Sequence, residues 1–306
     1  MPEPGTATAD LQEAPAMPIF VTPHPIRATV ELDIGNVWII ASERTDTIVD
    51  VRPFDASDPR DVVAADQTRI DYATGKLVVS VPKGRDRGRA GGAVSLVVHL
   101  PAGSTVYGDG VAADFRCDGR LGECRLTNDC GHIRLARTGA LHVTSGLGNV
   151  TVDRAAGAVE VSADCGDVRI HTIDGEATVR RSKGDTLLGE VMGPLGVFAE
   201  NGDVHIGRAH SSVEARTSQG DVRIDETLRG PLVLETASGQ LEVGIVGGTA
   251  TQLDLDARSG TVYRSLDLFD NMIGTPEDAV QVHARTVIGD IVVRRSAVDL
   301  RSDDWP

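Results

Sequence analysis

The sequence predicts an all-β protein: a two-sheet β-solenoid with two strands per rung of about 18 residues, headed by an N-terminal β cap. Three observations predict it. A strand introduced by glycine recurs about every 18 residues, and apolar and polar side chains alternate within each strand. The chain also carries 34 glycines against five Phe, three Tyr and two Trp. Many turns with few rings imply a thin interior, because a wide core is normally filled with aromatic side chains.

Taken in chain order, residues 1–18 read as a flexible Pro/Ala/Thr leader without the basic start and apolar centre of a signal peptide, and Met17 is a candidate start. Residues 19–108 form the N-terminal β cap region. It contains the β-branched runs IRATVELD (26–33), NVWIIA (36–41), TIVDVRP (47–53), KLVVSVP (76–82) and AVSLVVHLP (93–101). Between these runs, 57–68 reads as a loop with one helical turn and 83–92 as a basic, Gly-rich loop.

The solenoid repeats occupy 109–264, followed by an insert at 265–279, a last rung at 280–295 and a polar tail at 296–306. Its lines read CGHIRL at 130, LGNVTV at 147, CGDVRI at 165, KGDTLL at 183, NGDVHI at 201, QGDVRI at 219, SGQLEV at 238, SGTVYR at 259 and IGDIVV at 288. The turn glycines are Gly131, Gly148, Gly166, Gly184, Gly202, Gly220, Gly239, Gly260 and Gly289, spaced 17, 18, 18, 18, 18, 19, 21 and 29 residues apart. A second series (Gly122, Gly139, Gly157, Gly175, Gly193, Ser211, Gly230, Gly248) lies half a period away, so each rung is two strands and two turns. Period-two alternation buries one face of each strand. A long β-meander, the alternative that the N-G and S-G pairs allow, leaves that face bare. Coiling lays one sheet over the other at a rung spacing of roughly 4.8 Å. Ala177, Ala250 and Cys124 are expected to share an inward column with Leu141, Val159, Leu195, Val213 and Leu232.

Thirty basic against 45 acidic side chains give a net charge of −15, which disfavours nucleic acid and anionic lipid as partners. No apolar stretch is long enough for membrane insertion. Four cysteines without a C-x-x-C pair point to the cytoplasm, and a surface location would need a non-classical route.

The acidic turn row is the one candidate for chemistry. Asp167, Asp185, Asp203 and Asp221 fall on consecutive rungs and could bind a cation such as Ca²⁺. Nonapeptide calcium repeats need a denser motif, and Asp after Gly is ordinary turn chemistry, so turn stabilisation is the preferred reading. Cys130 and Cys165 lie two rungs apart, too far for a disulfide. Arg180, Arg181, Arg294 and Arg295 read as solvated or paired surface charges. No catalytic residue, cofactor site or paired catalytic carboxylate is picked out, and the small-molecule ligand is left unknown.

The opening FVTPHPIRATVELDIGNVWIIASERTDTIVDVRP, the G-D-V-R-I turns and the late LEVGIVGGTATQLDLDARSGTVYRSL together resemble an actinobacterial β-strand-repeat family of adhesin-like proteins of unknown function. The resemblance covers roughly 19–295 and implies the fold and a binding role, with no catalytic residues to carry over. The function expected is therefore a non-enzymatic scaffold or interaction protein that binds another protein or a second copy of itself. A carbohydrate-binding or carbohydrate-active solenoid and a Ca²⁺-stabilised structural repeat protein are the alternatives.

Overall fold

The computed structural model describes residues 17–82, 91–247, 249–266 and 279–296. Residues 1–16 of the expected leader, 297–306 of the tail, 83–90 of the basic loop and 267–278 of the insert lie outside the described residues.

The N-terminal region contains β1 (Ile19–Val21), β2 (Arg27–Ser42), β3 (Asp46–Pro53), α1 (Pro59–Asp66), β4 (Arg69–Ala73), β5 (Lys76–Ser80), β6 (Val94–Pro101) and β7 (Thr105–Arg120). Two of the expected runs fuse into β2, which turns its corner at Gly35 (φ +146°). Its first half pairs in parallel with β5 and β7, and its second half with β6 and β7. The stacked rungs therefore begin at β2, and the expected boundary at 108/109 falls inside β7. Antiparallel pairing of β3 with β6, β1 with β3 and β4 with β5 completes the cap.

The expected single helical turn is a helix of eight residues, because Asp58 caps it by accepting from Arg60 N–H and Pro59 opens it. The buried Asp61 carboxylate accepts from the Asp55 and Ala93 amides and fastens the helix to the cap.

Beyond the cap the chain coils. One sheet stacks β8 (Cys124–Cys130), β10 (Leu141–Leu147), β12 (Val159–Cys165), β14 (Ala177–Lys183), β16 (Leu195–Asn201), β18 (Val213–Gln219) and β20 (Gly230–Ser238). The facing sheet stacks β9 (Ile133–Thr138), β11 (Val150–Ala155), β13 (Val168–Ile173), β15 (Thr186–Val191), β17 (Val204–Ala209), β19 (Val222–Thr227) and β21 (Leu241–Ile245). We call these the first and second sheets. From β9 to β19 each strand pairs in parallel with the strands two places before and after it, as β10 does with β8 and β12, which makes a solenoid and not a meander.

The inner columns are small aliphatics. Cys124, Leu141, Val159, Ala177, Leu195, Val213 and Leu232 lie in one row and are 3% exposed or less. Burying each Val or Leu contributes about 1.5–3 kcal/mol. Phe115 is the one aromatic among the described buried core residues. It fits because Gly108 and Gly110 face it; a Cβ on Gly108 would stand 2.7 Å from its ring.

The C-terminal end departs from the sequence expectation. The remaining strands are β22 (Thr251–Ser259), β23 (Val262–Ser265), β24 (Val280–Ile288) and β25 (Ile291–Arg295). Residues 280–295, expected as the last rung, sit between two earlier ones: β24 lies between β20 and β22, and β25 between β21 and β23. The outermost rung is 251–265. The inserted rung is held by Arg294, whose Nε is 2.8 Å from Glu242 Oε1, and by Arg295, which donates to the Val246 and Thr249 carbonyls at 3.2 Å. Ala250 does not join the inward column; Leu253, in register with Val282, takes that place.

Candidate functional site

The glycine turns form one corner of the rod, where the chain passes from the first sheet to the second. Gly148, Gly166, Gly184, Gly202, Gly220, Gly239 and Gly289 have φ between +122° and +154°. A Cβ on Gly202 would overlap the Gly184 carbonyl oxygen, and the same holds from rung to rung. Glycine is required twice over, by backbone conformation and by stacking. Gly260 also stacks, against Gly289.

The expected acidic row is present, and its chemistry is specific. Asp167 Oδ1 accepts the Asp185 N–H at 3.0 Å, Asp185 Oδ1 accepts from Asp203 at 3.0 Å, and Asp203 Oδ1 accepts from Asp221 at 2.8 Å. Asp221 Oδ1 continues to Gln240 N–H at 2.7 Å, while Asn149 and Asp114 play the same role in earlier rungs. One carboxylate oxygen per rung thus holds the next turn, which is why Asn serves equally well at 149. No group of three or more His, Cys, Asp or Glu that could hold a metal ion occurs among the described residues.

Beneath this corner runs an inner column of hydrogen-bond donors. Asn128, Thr236 and Thr286 donate to the turn carbonyls of Ala113, Gly220 and Gly239. Arg181 stands in the same column, 4% exposed, with Nη1 3.4 Å from the Gly166 carbonyl. It is not the surface charge the sequence suggested. Its neighbours in register are Ala163 and Ala199, which leave room for the guanidinium. Burial lowers its pKa, and the charges of Asp185, Asp167 and Asp203 act to raise it. Alternation from Ala177 and Val179 points position 181 inward, but the reading of Arg181 as a surface charge followed its polarity.

The outer face of the second sheet carries Arg134, Thr151, Arg169, Leu187, His205, Arg223 and Glu242 in register. Charges there pair across rungs. Asp225 receives His205 Nε2 and Arg223 Nε, each at 2.6 Å, and Arg223 and Arg294 both reach Glu242. Desolvation is the largest single influence on Asp225 and pushes its pKa up, but the bonds and charges of His205 and Arg223 together outweigh it and hold the group at about 2. At the cap end, Arg116 lies over the Trp38 ring at 4.9 Å, and both donate to Asp118.

On the first sheet, an open concavity of about 480 Å³ is lined by Arg125, His142, Glu160, Glu176 and Arg180. His142 pairs there with Glu160 at 3.1 Å, and Arg180 lies over Phe198.

Each cysteine is a free thiol. Cys117 and Cys124 are buried, which pushes the Cys124 pKa to about 11 and raises that of Cys117 as well. Cys130 and Cys165 are each in register with Leu147, on either side of it. No helix among the described residues is long and apolar enough to cross a membrane.

Parallel in-register rungs, stacked turn glycines and a filled interior define a β-solenoid repeat protein that presents its polar side chains in columns. The chain belongs to the Toastrack DUF4097 family, whose model matches residues 69–294. No curated protein matches it. Solved structures similar to it include a "putative adhesin" from Bacteroides fragilis (12% identity, 91% of this chain and 96% of that one, TM-score 0.37). Another is a "putative adhesin" from Parabacteroides merdae (14% identity, 91% and 95% coverage, TM-score 0.36). A third is a "putative lipid binding protein" from Parabacteroides distasonis (13% identity, 91% and 97% coverage, TM-score 0.30).

Proposed function

We propose that the protein is a non-enzymatic β-repeat scaffold that binds a protein, another chain or its own, through the side-chain columns of its outer faces and turn rows. One observation carries this reading. The inward columns are filled by small side chains in register, so the molecule presents its chemistry only as outward columns at fixed rung spacing. A rigid lattice of this kind suits recognition of an extended surface, because little side-chain or loop ordering opposes binding. The narrower placement, in an actinobacterial branch of adhesin-like proteins, rests on the opening and late segments that carry that resemblance. We assign the protein to the cytoplasm on the strength of its free thiols, which suit a reducing compartment; cell fractionation tests that assignment.

Light scattering after size exclusion, combined with capture on the immobilised rod, tests the function. A defined oligomer, or a stoichiometric partner lost when an outer column is charge-reversed, supports it. A monomer that retains no protein overturns it.

A further inference from the structure

The turn corner carries charges of both signs that the chain leaves unpaired. Lys183 and Arg134, and Asp129, Asp164, Glu200, Asp185, Asp203 and Asp221, make no side-chain ion pair among the described residues, whereas the second-sheet face is laced with them. Their arrangement is ordered. Just before the turn glycines the rows read Cys130, Leu147, Cys165, Lys183, Asn201 and Gln219; just after them they read His132, Asn149, Asp167, Asp185, Asp203 and Asp221. Further out, the first-sheet flank carries Asp129, Asp164 and Glu200, and the second-sheet flank carries Arg134, Arg169, His205 and Arg223. One side of the corner thus offers donors with an acidic flank, and the other offers carboxylates with a basic flank. At the centre Leu147 is 55% exposed, between the exposed Cys130 and half-buried Cys165.

We propose, building on the scaffold reading, that this corner is the interface of a parallel homodimer whose two-fold axis runs along the rods. Such an axis keeps every rung level with its twin and exchanges the two sides of the corner. Lys183 then meets Asp185 of the second copy, Asn201 and Gln219 meet the free oxygens of its Asp203 and Asp221, and Asp129 and Asp164 meet its Arg134 and Arg169. Leu147 faces Asn149 of the second copy. An antiparallel pair keeps the sides unexchanged and sets carboxylate against carboxylate, which is destabilising. The interface is isologous, so it closes as a dimer and does not propagate.

The test uses Arg134 and Asp129, because neither has a side-chain ion pair within the described chain. Light scattering across a concentration series should give a dimer for the native chain. Arg134→Glu alone and Asp129→Arg alone should each weaken it about tenfold or more, and the double variant should recover most of that loss. Register is read separately with a short thiol cross-linker. Cys165→Ser, which keeps Cys130, and Cys130→Ser, which keeps Cys165, should each give a covalent dimer, as only a parallel pair allows. A chain that is monomeric at high concentration overturns the proposal, as does a dimer indifferent to Arg134→Glu or single-thiol variants that do not cross-link. A monomer that still holds a protein partner leaves the scaffold reading standing while the dimer falls.

Discussion

Replacing Gly202 by Ala separates two reasons for glycine that the turn row combines. Gly202 has φ +128°, and an added Cβ would overlap the Gly184 carbonyl, well inside the 3.0 Å that real Cβ atoms respect. Gly75 has φ +74° with nothing within 4 Å of the added atom. Gly75 lies near the left-handed region, which costs an L-residue about 1–2 kcal/mol, and Gly202 lies beyond it and costs at least as much, each offset to some extent by a stiffer unfolded chain. Only Gly202→Ala must also force neighbouring rungs apart. That strains the Gly202 N–H bond to Gln219 O (2.8 Å), the Gly184 N–H bond to Asn201 O (3.1 Å) and the Asp203 N–H bond to Asp185 Oδ1 (3.0 Å). Three bonds at about 1 kcal/mol each put Gly202→Ala near 4 kcal/mol and Gly75→Ala near 1 kcal/mol. Urea unfolding followed by circular dichroism measures both, and hydrogen exchange in β16 and β18 reports whether the loss is local. Equal losses for the two variants would refute the stacking account and leave backbone conformation as the sole requirement.

Asp203→Asn keeps the acceptor for Asp221 N–H and should stay within about 0.5 kcal/mol of the native chain, whereas Asp203→Ala should lose about 1–2 kcal/mol in thermal unfolding. Equal losses would mean that charge, not the acceptor, holds the turn. Because the folded-state pKa of Asp225 is depressed to about 2 from 3.8, its stabilisation is present above the ordinary value and is lost as pH falls through about 2; acid titration of Asp225→Asn should lack that limb. Thiol reagents should label Cys130 and Cys165 in the folded protein and reach Cys117 and Cys124 only after denaturation, as mass spectrometry would register. In a chain with Cys130 and Cys165 replaced by Ser, Ser238→Cys with Ile288→Cys should form a disulfide. Ser238→Cys with Ser259→Cys, two rungs apart, should not.

The rungs were legible because both of their determinants are local. Glycine is the one residue the stacked turn admits, and alternation such as Val168, Arg169, Ile170 fixes which side chains point inward. The acidic row was legible as turn chemistry for the same reason, although its partner, the amide of the next rung, lies 18 residues away and left no mark in the residues beside it. Three features escaped. Arg181 breaks the rule that inward positions are apolar, and its acceptor is a turn carbonyl that any residue could supply. The helix over 59–66 shows little amphipathic pattern beyond its cap at Asp58. The order of the last rungs depends on which free edge receives which strand, and a parallel edge offers the same backbone groups to every candidate. The sequence held a hint there, since the glycine spacing lengthens to 21 and then 29 where the chain steps over a rung and returns.

The division of charge over the surface separates what holds the rod together from what it offers to others. On the second sheet, Arg208 reaches Glu226 at 2.6 Å, Arg223 reaches Asp225, and Arg294 ties the inserted rung to Glu242. Most of these pairs join residues of neighbouring rungs, so these ions act along the stack, where exposed pairs contribute little singly and more as a network. At the turn corner, backbone amides already satisfy one oxygen of each aspartate, and the like charges of Asp185, Asp203 and Asp221 repeat at the rung spacing without an internal cation beyond the buried Arg181. Stacked like charges are a cost that folding alone does not require, since Asn149 makes the same bond without one. In the dimer we propose, the donor row of Lys183, Asn201 and Gln219 on the second copy has the spacing to meet these charges.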